Sequence, residues 1–321
     1  MSEPRRYELS CRVDPYRDGW TLLRFLTHRF RYHPEGLWRE RVEEGAVRVN
    51  GDVAGPEHAV RKGDEIGYVI RHAEPEVDFA YDVLHEDDDL LAVSKSGNLP
   101  VHAGGKFIRN TLIAALRERW GTELRLAHRL DRETSGVVVL ARHREAARAL
   151  EREFHERRVG KRYLAVLRGA VPPEWRVDAP IARREPAEPP YFRVVDAAHG
   201  KPAVTRFRRL AVVRRPEWSG GPLSLVEVVP ESGRTNQIRV HAAATGHAVL
   251  GDKIYGIPPE LARRFVDEGE DGEILAAAGA HRHLLHCAQL RLAHPGSGEP
   301  WTGRAPLPED FRTLFPAFRA G

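Results

Sequence analysis

Cysteine is nearly absent. The 321 residues contain two, Cys11 and Cys287, far apart and outside any CxxC spacing. That argues against a disulfide framework, a thiolate zinc site or an iron–sulfur site, and it fits a reducing cytoplasm. No stretch approaches the roughly 18 apolar residues that a spanning helix needs. The opening MSEPRRYELSCRVD carries charge without an apolar run behind it, so neither a membrane anchor nor a secretory leader is expected. GxxxxGK[ST], a GxGxxG opening a helix, and GxSxG are all missing, which removes the common nucleotide and serine-hydrolase signatures. HAGGK at 102–106 has the glycines and the lysine of a phosphate loop but the wrong spacing. Lysine supplies six of the 50 basic residues, so arginine is abundant by composition and a single arginine says little.

What is present is an ordinary globular balance, 41% hydrophobic and 30% charged, in a chain long enough for two domains. The formal charge of +4 permits a polyanionic partner without demonstrating one. The first 72 residues read as a compact α/β unit: helical patterns at 21–30 and 36–44 precede short strands at 47–50 and 66–70. Arg24, His28, Arg29, Arg31, Arg39 and Arg41 fall on those helices, either as a phosphate-contacting surface or as solvated amphipathic faces. A turn-rich acidic stretch follows, and 73–80 is expected to be a linker. Residues 81–321 mix strands and helices. Strands are expected at 82–86, 90–95, 137–141, 163–167, 191–195, 204–213, 223–229 and 284–292. Helices are expected at 110–120, with Asn110 as N-cap, and at 145–157, 235–244 and 258–267, with a short one at the C-terminus. The proline-rich 171–190 reads as a loop. The fold class is α+β, a mainly antiparallel mixed sheet flanked by helices.

Three segments could carry chemistry. HRHLLHC at 281–287 would set His281, His283 and Cys287 on one side of a strand as a metal face, although its spacing matches no established ligand pattern. The acids from Glu86 to Asp89 could hold magnesium, but between two apolar strands they are better described as a hairpin turn. HRLDRETSG at 128–136 is the informative segment. It is polar immediately before the apolar VVVLA, and Asp131 lies between Arg129 and Arg132. Nearby positive charge favours an ionised carboxylate, suited to a nucleophile or base. An Asx-turn supported by Thr134 and Ser135 with Gly136 in the left-handed region explains the same residues structurally.

HRLDRETSG followed by an apolar strand resembles the signature of the RluA-type pseudouridine synthases, which it matches at every fixed position. The resemblance continues through LHEDDDLLAVSKSGNLPVHAGG at 84–105, KRYLAVLRG at 161–169, SGRTNQIRVHAAATGHAVLGDKIYG at 232–256 and LLHCAQL at 284–290. GAVRVNG and RKGDEI in the first unit resemble, more loosely, the ribosomal-protein S-four type of RNA-binding module. The resemblance implies isomerisation of uridine in ribosomal or transfer RNA, with ribosomal RNA favoured, and with no metal or organic cofactor. Asp131 matches the catalytic aspartate. Arg239 matches its ion-pair partner, with Arg234 the second choice. Tyr163 matches the aromatic residue that stacks on the uracil, and Arg129 the residue that enters the helix stack when the nucleotide is extruded. His128, Gln237 and Leu285 are implied on the substrate-binding side. Asn236 stands where the family usually has histidine; it can hydrogen-bond but cannot titrate. A cytoplasmic monomer with no membrane or protein partner is the simple expectation. Two other readings are weighed: an RNA-binding or ribosome-assembly factor that keeps the fold without catalysis, supported by Asn236 alone, and a metal nuclease built on 86–89.

Overall fold

The computed structural model describes residues 4–30, 33–183, 192–215 and 220–318. The chain divides into two compact units, Met1–Glu76 with Gly104–Ile108, and Val77–Ala103 with Arg109–Gly321.

The first unit contains strand β1 (Arg5–Arg12), helices α1 (Leu22–Arg29) and α2 (Glu35–Glu43), and strands β2 (Val47–Val49), β3 (Asp52–Val53) and β4 (Glu65–His72), with sheet order β1-β4-β2-β3. The expectation that two helices come before any strand is corrected, because β1 leads and pairs with β4 along its whole length. Its alternation was weak because only Tyr7 of its eight residues is buried. Thr21 caps α1 by accepting the Arg24 N–H, and α1 buries Leu22, Leu23, Phe25 and Leu26. Trp38, fully buried on α2, donates its indole N–H to the Phe30 carbonyl at 3.1 Å. Asn50 and Gly51 both take positive φ, 53° and 92°, which is what a two-residue turn between twisted strands demands.

The second unit runs β5 (Tyr81–Glu86), β6 (Leu90–Lys95), α3 (Leu112–Trp120), β7 (Arg125–Leu126), β8 (Ser135–Ala141), α4 (Arg144–His155), β9 (Gly160–Arg168), β10 (Glu174–Asp178), β11 (Ile181–Arg183), β12 (Arg193–Val195), β13 (Val204–Val213), β14 (Leu223–Pro230), α5 (Gln237–Ala244), α6 (Pro259–Glu268), α7 (Gly272–Ala278), β15 (Leu285–Ala293), β16 (Pro300–Arg304) and α8 (Glu309–Leu314). The main sheet is ordered β10-β13-β14-β9-β15-β8-β6-β5, with β16 on β15 and β7 on β8; every pair is antiparallel except β15 with β8. All seven residues of β8 are buried, as an apolar strand in the middle of a sheet requires.

Several local expectations are corrected. The N-cap of α3 is Thr111, which accepts the Ala114 N–H, rather than Asn110. The proline-rich loop contains β10 and β11, its prolines lying outside or at the ends of those strands; residues 184–191, including Tyr191, lie outside the described residues. The acidic stretch after α6 holds α7, started by Asp271, whose side chain accepts the Ile274 N–H. β16 went unseen because its short sequence, PWTGR, has proline and glycine and no alternation.

The turn between β5 and β6 is the hairpin turn expected at 86–89: one oxygen of Asp87 accepts the N–H groups of Asp89 and Leu90. Its other oxygen meets His85 and His294, at 2.6 and 2.9 Å. Burial opposes the charge of Asp87, but these hydrogen bonds outweigh it and hold the carboxyl well below the usual range. His85, Asp87 and His294 are close enough together for a metal. However, Nδ1 of His294 faces the N–H groups of Gly296 and Ser297, which makes Nε2 the protonated nitrogen. A metal-bound Nε2 would need the opposite tautomer, so the cluster reads as a hydrogen-bonded clasp. Among the described residues no helix is long and apolar enough to cross a membrane.

Candidate active site

Asp131 sits four residues before β8, in a turn closed by the Thr134 N–H bonding to the Asp131 carbonyl. Thr134 and Ser135 do not stabilise that turn through their hydroxyls. They reach across to the strand entering from the far end of the chain, Thr134 to His283 at 2.8 Å and Ser135 to His286 at 2.9 Å. Gly136 has φ 111°, and a Cβ there would lie 2.2 Å from the Cys287 carbonyl oxygen. The glycine of the TSG triplet is therefore required by the close parallel approach of β8 and β15.

Behind the turn lies a buried polar lattice. Glu133 accepts from Lys253 at 3.1 Å, from Arg132 at 3.0 Å and from the His283 N–H at 2.9 Å. Burial works against its charge, yet His283, Lys253 and Arg132 together hold its carboxyl far below the ordinary range. Lys95, with 1% exposure, donates to the carbonyls of Ser96 and Arg132. Burial and the nearby Arg282 lower its pKa to about 7, against the opposing pull of Asp131. A turn tied at both backbone and side chains presents Asp131 at low conformational cost.

Arg239, on the buried face of α5, reaches this carboxylate: Nη1 donates to Asp131 Oδ2 at 3.0 Å. Its other two nitrogens grip Asp252, Nε to Oδ2 at 2.7 Å and Nη2 to Oδ1 at 2.8 Å, and Asp252 is wholly buried. Burial opposes the charge on Arg239, but Asp252 and then Asp131 more than compensate and push its pKa up. Asp252 is lowered in turn, Arg239 outweighing burial. The side chain of Asp131 is 36% exposed, whereas that of Arg239 is 9% exposed. The result is a carboxylate anchored from beneath and open to a ligand above. Arg234 does not join it; its Nε donates to the Pro202 carbonyl.

Tyr163 of β9 lies opposite Cys287 of β15, and Leu285 opposite Ala165, so Tyr163 and Leu285 share one face of the sheet. Leu285 is buried there, and Tyr163 is half-buried between two hydrophobic clusters. Burial, the neighbouring Cys287 and the charge on Asp131 all raise the Tyr163 pKa, keeping the phenol protonated. Burial also pushes the Cys287 thiol up, to about 12.

Asn236 adopts the left-handed conformation at φ 57°, which asparagine tolerates better than most residues. Its amide donates to the Tyr255 hydroxyl at 3.1 Å and its oxygen accepts from Arg239 at 3.3 Å. These are positioning bonds that require no titration. Gln237 is buried and spent on structure, accepting from Ser232 and the Arg234 N–H while donating to the Val204 carbonyl and Thr205. His128 is not brought to Asp131 by any of its contacts. It stacks on Phe154 at 5.1 Å, accepts the Val139 N–H, and is pushed by burial to a pKa of about 3. Arg129 is exposed and donates to His102 at 2.6 Å. His281, His283 and Cys287 do not form a metal face: His281 is exposed, His283 is bound to Thr134 and Glu133, and Cys287 lies against Tyr163.

Asp252, Tyr255, Lys95 and His102 were not singled out as site residues. Asp252 and Tyr255 lie in the block 232–256, and Lys95 and His102 in the block 84–105, but within those blocks only Asp252, an acid in the apolar run VLGDKIYG, stands out locally.

The chain as a whole is similar to known proteins. Residues 89–244 match the family described as RNA pseudouridylate synthase. The chain is 32% identical over 325 residues to ribosomal large subunit pseudouridine synthase D of Pasteurella multocida, covering 97% of this chain and 95% of that one. It is 32% identical over 323 residues to ribosomal large subunit pseudouridine synthase C of Escherichia coli K12, covering 94% and 93%. Among solved structures it is similar to human RNA pseudouridylate synthase domain containing 1, with 29% identity, a TM-score of 0.57, and coverage of 74% of this chain and 87% of that one.

Proposed function

This chain belongs to the RNA pseudouridylate synthase family, and from that premise we propose that it converts specific uridines of ribosomal RNA to pseudouridine with Asp131 as the catalytic nucleophile or base. The observation that carries the assignment of roles is the Asp131–Arg239–Asp252 chain beside Tyr163. The reaction breaks the bond from the ribose to N1 of uracil, turns the base, and joins the ribose to C5, from which a proton leaves while N1 takes one up. Asp131 is oriented and exposed on one side, as an attack on the sugar or base, or removal of a ribose proton, requires. Among the described residues no hydrogen bond reaches its Oδ1, which leaves that oxygen to the substrate. Arg239 is the buried counter-charge that meets this carboxylate from the protein side.

Tyr163 offers a ring face for the extruded uracil. Because its hydroxyl stays protonated, it can relay the C5 proton only by accepting on oxygen while releasing its own, so stacking is its main role. Leu285 supplies apolar wall on the same sheet face. Arg129, exposed two residues before Asp131, suits insertion into the stack that the base has left. Ribosomal RNA is favoured over transfer RNA because the relatives above are named for the large ribosomal subunit. Residues 1–72 act as an S-four-like RNA-binding module, 73–80 as linker and 81–321 as the catalytic domain of a cytoplasmic monomer that uses no cofactor.

The test is to incubate the protein with unmodified ribosomal RNA, without added metal, and map pseudouridine chemically. New sites should form with the unsubstituted protein and be lost in Asp131→Asn while RNA binding persists. Normal turnover by Asp131→Asn would overturn the role of Asp131, and RNA binding without any new site would favour the assembly-factor reading.

A further inference from the structure

The most exposed large hydrophobic side chain in the described residues is Tyr16, at 74%. It lies on a 3-10 turn of the first unit, Pro15–Arg17. The turn is held rigidly: Asp14 accepts the N–H groups of Tyr16 and Arg17, and Pro15 fixes its own φ. The Tyr16 ring stands edge-on to Trp20, with centroids 5.6 Å apart and planes inclined at 62°. Two guanidinium groups complete the cluster. Arg17 lies 5.9 Å from both ring centroids, and exposed Arg24 covers Trp20 at 4.1 Å. The nearby acids are already engaged, Asp14 by Arg17 and Asp18 by the Lys62 N–H at 2.8 Å.

We propose that Tyr16, with Trp20 and Arg24 and braced by Arg17, which is itself held by Asp14 and His28, forms a stacking platform on which an unpaired RNA base lies against the tyrosine ring while Arg24 contacts its phosphate. This rests on the reading of the protein as an RNA enzyme, but it concerns binding at a second place and not the chemistry. An exposed ring held by a capped turn loses little freedom when a base stacks on it. Every base offers a π face, and an adjacent cation neutralises the phosphate that travels with it. The positive charge would also suit an acidic protein segment. The upright and solvent-facing ring favours a flat partner, and RNA supplies both the flat face and the negative charge. Phosphate contacts along the basic helices would serve paired and unpaired RNA equally; a tyrosine platform discriminates between them.

The experiment uses the full chain and two labelled RNAs of identical duplex sequence, one blunt and one with a short single-stranded extension, with binding read by fluorescence anisotropy at fixed salt. The unsubstituted protein should prefer the extended RNA, and Tyr16→Ala should weaken binding of that RNA by roughly 5-fold to 100-fold while leaving the blunt duplex unchanged. Tyr16→Phe should keep the preference, because stacking needs the ring and not the hydroxyl. With unmodified ribosomal RNA, Tyr16→Ala should raise KM and leave kcat at saturation unchanged. Equal losses on both RNAs, a Tyr16→Phe as weak as Tyr16→Ala, or a Tyr16→Ala that binds both RNAs normally would each overturn the platform. Preference for the extended RNA that depends on Tyr16, in a protein that forms no pseudouridine, would leave the platform standing and remove the catalytic reading alone.

Discussion

Replacing Arg239 by lysine keeps a positive charge in the core and removes the fork. Arg239 makes three hydrogen bonds to carboxylates, two to Asp252 and one to Asp131, besides the longer one to Asn236. An ammonium at the end of a shorter, differently shaped side chain cannot span both carboxylates in this geometry. Bonds of this kind contribute about 1.5–3 kcal/mol each, so losing two would cost about 3–6 kcal/mol. The lower end applies, because Asp252 Oδ1 also accepts the N–H groups of Ile254 and Tyr255 and is not stranded when the arginine leaves. For a unit of this size about 3 kcal/mol corresponds to a Tm lower by about 6–12 °C. Turnover should fall further than stability suggests, by about 100-fold or more, because Asp131 loses the one hydrogen bond to its carboxylate among the described residues. The assay pairs thermal melting with single-turnover pseudouridine formation well below the melting range. An Arg239→Lys enzyme that melts within about 2 °C of the parent and keeps its rate would refute the account of a three-point anchor.

Acid should destabilise the fold through its buried histidines. Burial and Arg282 lower the His286 pKa from 6.5 to about 3. The unfolded chain therefore binds the extra proton between those values, and stability is full above pH 6.5 and falls as pH drops towards 3. At pH 5 the loss amounts to roughly 2 kcal/mol for this residue. Urea unfolding at pH 7.5 and 5 should show it, and a His286→Asn variant should show a smaller difference between the two; an equal difference would contradict the assignment. Gly136→Ala should lose more than about 3 kcal/mol or fail to fold, since its Cβ would meet the Cys287 carbonyl at 2.2 Å in a backbone at φ 111°. Gly104→Ala, where nothing lies within 4 Å, should melt close to the parent, and a Gly136→Ala protein that does the same would contradict the close approach of β8 and β15. Cys287, buried with a pKa near 12, should resist iodoacetamide at pH 8 in the native protein and react once urea unfolds it, as mass spectrometry would record; rapid native labelling would contradict its burial against Tyr163.

Much of the second unit could be read from the chain. β6, β8 and β13 announce themselves through apolar or alternating runs, and α4 through one apolar face, because burial and period are local properties of a sequence. The weakly patterned elements were hidden: β1 buries one residue, β16 contains proline and glycine, and α7 starts inside an acidic stretch. At the site, Asp131, Tyr163, Arg239 and Leu285 could be named from their motifs. Gln237 and His128 looked equally eligible, and the structure employs both in packing and hydrogen bonding that hold the surrounding elements.

The order of residues alone determined which segments alternate, which groups can carry charge, and that an aspartate is set among arginines at the mouth of an apolar strand. It could name Arg239 as that aspartate's partner only through a motif resemblance, not through any local pattern that brings the two together. Arg239 and Asp131 are 108 positions apart and are joined only when α5 packs on the sheet face formed by β9 and β15. Asp252 as the second anchor, Cys287 behind Tyr163 and His283 on Thr134 were decided in the same way, by strand register and helix packing. A side chain's type belongs to its own position, whereas its partner, its desolvation and hence its charge state depend on groups that only the tertiary fold brings within reach.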